Sequence, residues 1–101
     1  MTIQDAKQQR RYQREQVLEE GTLTVGTSSY TVDVLDVSLD SDPCRIHGFG
    51  IMAPHQLMAK KSCLLQLNVT RYKGHYECEV VYCQDSGFGM RCGLVVLAKM
   101  D

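Results

Sequence analysis

The sequence has no tryptophan, and aromatic residues make up only 7% of it. A core without large rings must rest on Val, Leu, Ile, Met and Tyr. Five Tyr and two Phe also offer few stacking platforms for single-stranded nucleic acid. An excess of either charge is lacking: 11 Lys and Arg against 12 Asp and Glu leave a formal net charge of −1. That balance excludes broad, charge-driven binding to DNA or an anionic membrane, while leaving room for a local basic site. No stretch approaches the roughly 18–20 consecutive apolar residues that a membrane helix needs, which excludes helical membrane insertion. The opening Met1-Thr2-Ile3-Gln4-Asp5 lacks a cationic run followed by an apolar one, so no secretory signal is read there. Serine-nucleophile elbow, phosphate-loop and dinucleotide fingerprints are absent, and the chain reads as a non-enzyme.

What remains is a chain of 101 residues, enough for one domain and one core that stands without disulfides. Its 44% hydrophobic and 23% charged residues are ordinary for a globular domain. Five cysteines, Cys44, Cys63, Cys78, Cys83 and Cys92, make an odd set with no signal sequence. They read as reduced thiols in a cytoplasmic protein, packed as small hydrophobes.

The charge pattern divides the chain. Residues 1–17 are polar and hold Lys7, Arg10, Arg11 and Arg14, and they read as a flexible basic N-terminal arm. From 18 to 101 the pattern changes to short alternating apolar runs broken by Gly, Ser, Asn and Asp, the punctuation of strands. Strands are expected at about 18–26 and 29–37, in a short run over Phe49–Met52, and at about 62–71, 75–84 and 89–98. In the second, Tyr30, Val32 and Val34 alternate before Leu35 and Val37 switch parity, which predicts a bulge near Val34-Leu35. Leu65, Leu67 and Val69 should share one face. Tyr76, Cys78, Val80 and Tyr82 should point inward, with Glu77 and Glu79 outward, and Met90, Cys92, Leu94 and Val96 should share a face. Pro54–Lys61 reads as a turn of helix or a loop. Six such segments predict an all-β fold, a six-stranded antiparallel β-barrel that closes or nearly closes.

Two constellations could carry chemistry. Arg10 and Arg14 form an R-x-x-x-R pair beside Arg11, and guanidinium groups can bond phosphate or the O6/N7 edge of guanine and stack on a base. The plain alternative is a solvated basic helix face. Asp36 and Ser38, two apart on a strand, project on the same side, where a carboxylate can accept from guanine N1–H and N2–H₂ and a hydroxyl can assist. The plain alternative there is a turn. The acids Asp33, Asp36, Asp40 and Asp42 do not match an EF-hand loop. Cys44-x-x-His47, His75-x-x-Cys78 and the Cys78/Cys83 pair lack metal-site spacing, and no metal or cofactor is expected.

Taken in order, these pieces resemble the PilZ domain family. That family places R-x-x-x-R before its first strand and [D/N]-x-S-x-x-G after its second, matched here by Arg10–Arg14 and Asp36-Val37-Ser38. Met90-Arg91-Cys92-Gly93-Leu94-Val95-Val96 is similar to its last strand, so the resemblance spans about residues 7–98. The family's glycine position falls on Ser41. Residues 40–47 look like an insertion of about seven residues, after which Gly48-Phe49-Gly50-Ile51 restores the glycine. The resemblance implies a split barrel and a bacterial, cytoplasmic receptor for cyclic di-GMP that signals to an effector protein. Arg10 and Arg14 would bind phosphate and guanine, with Arg11 an unaligned extra joining the cluster, Asp36 and Ser38 would bind the other guanine edge, and Gly48 would shape the loop. Ser41 and Arg91 are lesser ligand candidates. The alternative implied is a PilZ-like adaptor that has lost the nucleotide and acts through protein contacts. DNA is not an expected partner, and the oligomeric state is left open.

Overall fold

The computed structural model describes residues 13–39, 45–69 and 72–100. Six strands form, β1 (Gln13–Val25), β2 (Ser28–Leu39), β3 (Ile46–Ala53), β4 (Ser62–Leu67), β5 (Gly74–Asp85) and β6 (Met90–Lys99). They close into one barrel in the order β1-β2-β3-β6-β5-β4, with β4 returning to β1, and every pairing is antiparallel. Closure gives every strand a hydrogen-bonded neighbour on each side over part of its length, while residues 13–20 of β1 pair with β2 alone.

The alternation read from the sequence builds the interior. Leu23, Val32, Val34, Val37, Phe49, Ile51, Leu65, Leu67, Tyr76, Cys78, Val80, Cys92 and Leu94 are all buried. With no tryptophan to fill the centre, Phe49 and Tyr76 take that place as an edge-to-face pair with ring centroids 5.0 Å apart. The Tyr76 hydroxyl donates to the Tyr72 carbonyl, so its polar tip is satisfied at the barrel end.

Bulges set which residues face inward. Leu35 is an extra residue in β2 between Val34, opposite Ile51, and Asp36, opposite Gly50. This is where the parity switch placed it, and it turns Val37 inward and Asp36 outward. Val81 is a second extra residue, in β5, between the Val80–Leu94 and Tyr82–Gly93 pairs. It reverses the parity of β5, so Tyr82, expected inward, stands 41% exposed outside, and Cys83 turns toward the core instead.

Three boundaries differ from the sequence reading. β1 begins at Gln13, so residues 13–17, assigned to the arm, are strand, Gln13 to Gln16 paired with β2 and Val17 in the irregularity that follows. Only Gly21–Thr24 of β1 bond β4, so its first half leans on β2 alone and needs no apolar face; hence its polar text. β4 ends at Leu67, where its partner strand starts at Gly74, and Val69 lies beyond it, 72% exposed and apart from Leu65 and Leu67. β3 starts at Ile46, three residues before the expected run. Pro54–Lys61 contains no helix: it is a loop that inserts Leu57 into the core and bonds Lys60 N–H to the Val80 carbonyl at 2.7 Å.

Candidate ligand groove

The antiparallel register lays side chains in rows across the barrel's outer surface. One row runs Gln16, Asp36, Gly50, Gly93, Tyr82 over β1, β2, β3, β6 and β5. The next runs Arg14, Ser38, Gly48, Val95, Glu79. Three glycines at the middle of two adjacent rows leave a hollow. It is a shallow groove of ≈ 140 Å³, walled by Arg14, Asp36, Ser38 and His47 on one side and Val81, Tyr82 and Val95 on the other.

Each glycine is required by a close approach, and by a different neighbour. A Cβ on Gly50 would lie 2.6 Å from Asp36 Oδ1, because the carboxylate lies across that residue. A Cβ on Gly93 would lie 2.9 Å from Tyr82 Cδ2, because the ring covers it. A Cβ on Gly48 would strike the backbone carbonyl of Leu94. Gly48 therefore serves the β3–β6 contact as well as the groove.

Asp36 is the buried polar residue of the barrel wall, 9% exposed. Its carboxylate accepts from Arg91 Nη2 at 3.1 Å, a half-buried ion pair reaching from β6 across the Gly50 position. Arg91 Nε is buried and has no hydrogen-bond partner among the described residues. Burial makes such a donor costly to leave unmade, by roughly 1–3 kcal/mol. The groove thus has one guanidinium, Arg14, at its rim, a second engaged with its carboxylate, and a buried donor beside them.

Four sequence-predicted ligand residues, Arg14, Asp36, Ser38 and Gly48, come together here, and Arg91 adjoins them through Asp36. Gly48 arrives as the direct cross-strand partner of Ser38, with Leu39 paired to Ile46 beyond it, so the β2–β3 ladder itself brings Gly48 to the groove. Arg10, Arg11 and Ser41 lie outside the described residues. Sequence reasoning missed Gly50 and Gly93 as floor, and Tyr82 and Val81 as wall. The glycines were visible in Gly48-Phe49-Gly50 and Cys92-Gly93, but only the register sets them side by side. Tyr82 was hidden by the bulge before it.

The described thiols, Cys63, Cys78, Cys83 and Cys92, are elsewhere, in the barrel. Burial pushes Cys63 up to about 11. Cys78 rises to about 12, by burial first and then by Cys63 and Glu77 nearby. Cys92 also rises to about 12, by burial and then by its hydrogen bond to Cys83. His75 is exposed while Cys78 is buried, so the pair points to opposite sides of β5. Among the described residues no group of three or more His, Cys, Asp and Glu is placed to hold a metal ion. No described helix is long and apolar enough to cross a membrane. No known protein family matches the chain, and no curated protein is similar to it.

Proposed function

We propose that this protein is a receptor for cyclic di-GMP that signals to a protein effector in a bacterial cytoplasm. The observation that carries the reading is the meeting in one outer groove of Arg14, Asp36 and Ser38, chosen from sequence for their chemistry, with Gly48, implied by the resemblance. A guanine edge donates N1–H and N2–H₂ to Asp36, Ser38 assists, and Arg14 takes a phosphate or the O6/N7 edge. The Gly50 and Gly93 floor lets a flat base lie close to the backbone.

At ≈ 140 Å³ the groove is smaller than the roughly 300–1,000 Å³ of a typical ligand pocket, so it takes one guanine and not the whole dinucleotide. Arg10 and Arg11, which precede β1, would hold the remainder and close over it. Fixing those residues costs roughly 1–2 kcal/mol each. Charge-assisted contacts of about 1.5–3 kcal/mol apiece offset this. The closed segment then forms the surface an effector reads.

The second reading, an adaptor without nucleotide, is favoured by one observation: Asp36, the carboxylate meant for guanine, already holds Arg91. Calorimetric titration with cyclic di-GMP separates the two. The receptor reading expects saturable binding by the wild type and its loss in Arg10→Ala/Arg14→Ala. A flat titration of the wild type would overturn the receptor reading, and binding unchanged in the double variant would move the site elsewhere.

A further inference from the structure

At the far side of the β5 bulge, two thiols face each other with no use in the groove. Cys83 and Cys92 are direct cross-strand partners on β5 and β6, one row beyond Tyr82 and Gly93. Their sulfurs are 2.8 Å apart. Directly opposed residues of an antiparallel pair have Cα atoms about 4.5–5.5 Å apart. That lies within the roughly 4.4–6.8 Å window of a disulfide. Cys63 and Cys78 are also cross-strand partners, and Cys78 and Cys92 each donate to the carbonyl two residues earlier, Tyr76 and Met90, at 3.7 Å; the 2.8 Å sulfur contact belongs to Cys83 and Cys92.

The two sulfurs are not equivalent. Cys83 is half-buried and accepts the Leu57 backbone N–H at 3.2 Å. Cys92 is fully buried and bonds to Cys83. The arrangement has the parts of an oxidisable dithiol, a half-buried sulfur and a resolving sulfur already in contact with it.

We propose that Cys83 and Cys92 form a reversible disulfide on exposure to a hydroperoxide, making the β5–β6 bulge a redox-modified site. The Cys83 thiolate attacks one peroxide oxygen, breaking the O–O bond and releasing hydroxide, which takes a proton to leave as water. Cys83 is then a sulfenic acid. Cys92 sulfur attacks the Cys83 sulfur and loses its proton, the S–O bond breaks, and a second water leaves. Two thiols are oxidised by two electrons and one hydrogen peroxide is reduced to two waters. Because Tyr82 and Gly93 are the adjoining pair, the bridge clamps the strands under that wall of the groove. The proposal stands independently of the ligand reading.

The test uses the full chain as Cys44→Ser, leaving four cysteines, treated with hydrogen peroxide beside added glutathione as an internal standard. Expected are a Cys83–Cys92 linked peptide, an intact mass lower by two hydrogen atoms, a raised melting temperature, and reversal of all three by dithiothreitol. In Cys92→Ser the same treatment should leave Cys83 as a mixed disulfide with glutathione, because its sulfenic acid has lost the protein thiol that resolves it and condenses with the added one, releasing water. The proposal is overturned if Cys83 and Cys92 remain free thiols while the glutathione oxidises, or if the linked peptide joins other cysteines. Peptide mapping of the Cys44→Ser protein decides it even where Cys92→Ser folds poorly.

Discussion

Arg91 on β6 and Asp36 on β2 are joined at 3.1 Å across β3, over the residue where β3 carries Gly50. They sit on strands that are not hydrogen-bonded neighbours, so the ion pair ties together a wall that the backbone ladder links only through β3. The pair also guards the proposed guanine position, because a base that takes Asp36 must draw it from Arg91.

That coupling is measurable. Asp36→Ala, Arg91→Ala and the double variant, unfolded in urea, form a cycle. The pair should show a coupling of about 0.5–3 kcal/mol, with each single change destabilising by more than its share of the double. Strict additivity would mean that the two side chains do not interact in solution.

The three groove glycines should rank by what a methyl group meets. Gly48→Ala strikes backbone and should be the most destabilising, beyond the roughly 1–3 kcal/mol of ordinary overpacking. Gly50→Ala must push the Asp36 carboxylate off, so it should lose stability and the Arg91 coupling together. Gly93→Ala meets only the Tyr82 ring, which is 41% exposed and can swing outward, and should cost least. Thermal unfolding of the three variants gives the order.

Leu57, 5% exposed, reaches the core from a loop. Leu57→Ala should destabilise by about 2–4 kcal/mol, as a buried leucine does, despite lying in no strand. A loss within the surface range of about 0.5 kcal/mol would show that the loop does not plug the barrel.

Stability should fall at high pH. Cys63, Cys78 and Cys92 have folded pKa values raised from 9.0 to about 11, 12 and 12, chiefly by burial. Above pH 9 the unfolded chain loses thiol protons that the folded barrel still holds, so the unfolded state binds fewer and is favoured. The stabilisation is full below pH 9 and lost toward pH 11–12. Urea midpoints measured across that range should decline, and Cys78→Ala should decline less steeply.

Much of this barrel was legible because alternation is a local signal. Tyr76, Cys78 and Val80, or Cys92 and Leu94, need only their own strand to declare a face, and Leu35 betrayed its bulge by breaking the pattern. Val81 gave no such sign: Tyr82 fits the inward series until its partner, Gly93, is known. The start of β1 was hidden for a related reason, since Gln13–Gln16 are held by pairing to β2 and bury no apolar face. Arg14, Asp36 and Ser38 could be chosen for their chemistry, but their convergence depends on a register that neither segment encodes alone.

The central claim, that nucleotide is read in this groove, is tested most directly by amide chemical shifts of the wild-type protein titrated with cyclic di-GMP. Saturable shifts centred on Arg14, Asp36, Ser38, Gly48, Gly50, Tyr82 and Gly93 are the predicted result. Shifts centred on another face of the barrel, or none at ligand concentrations well above the protein, would contradict it.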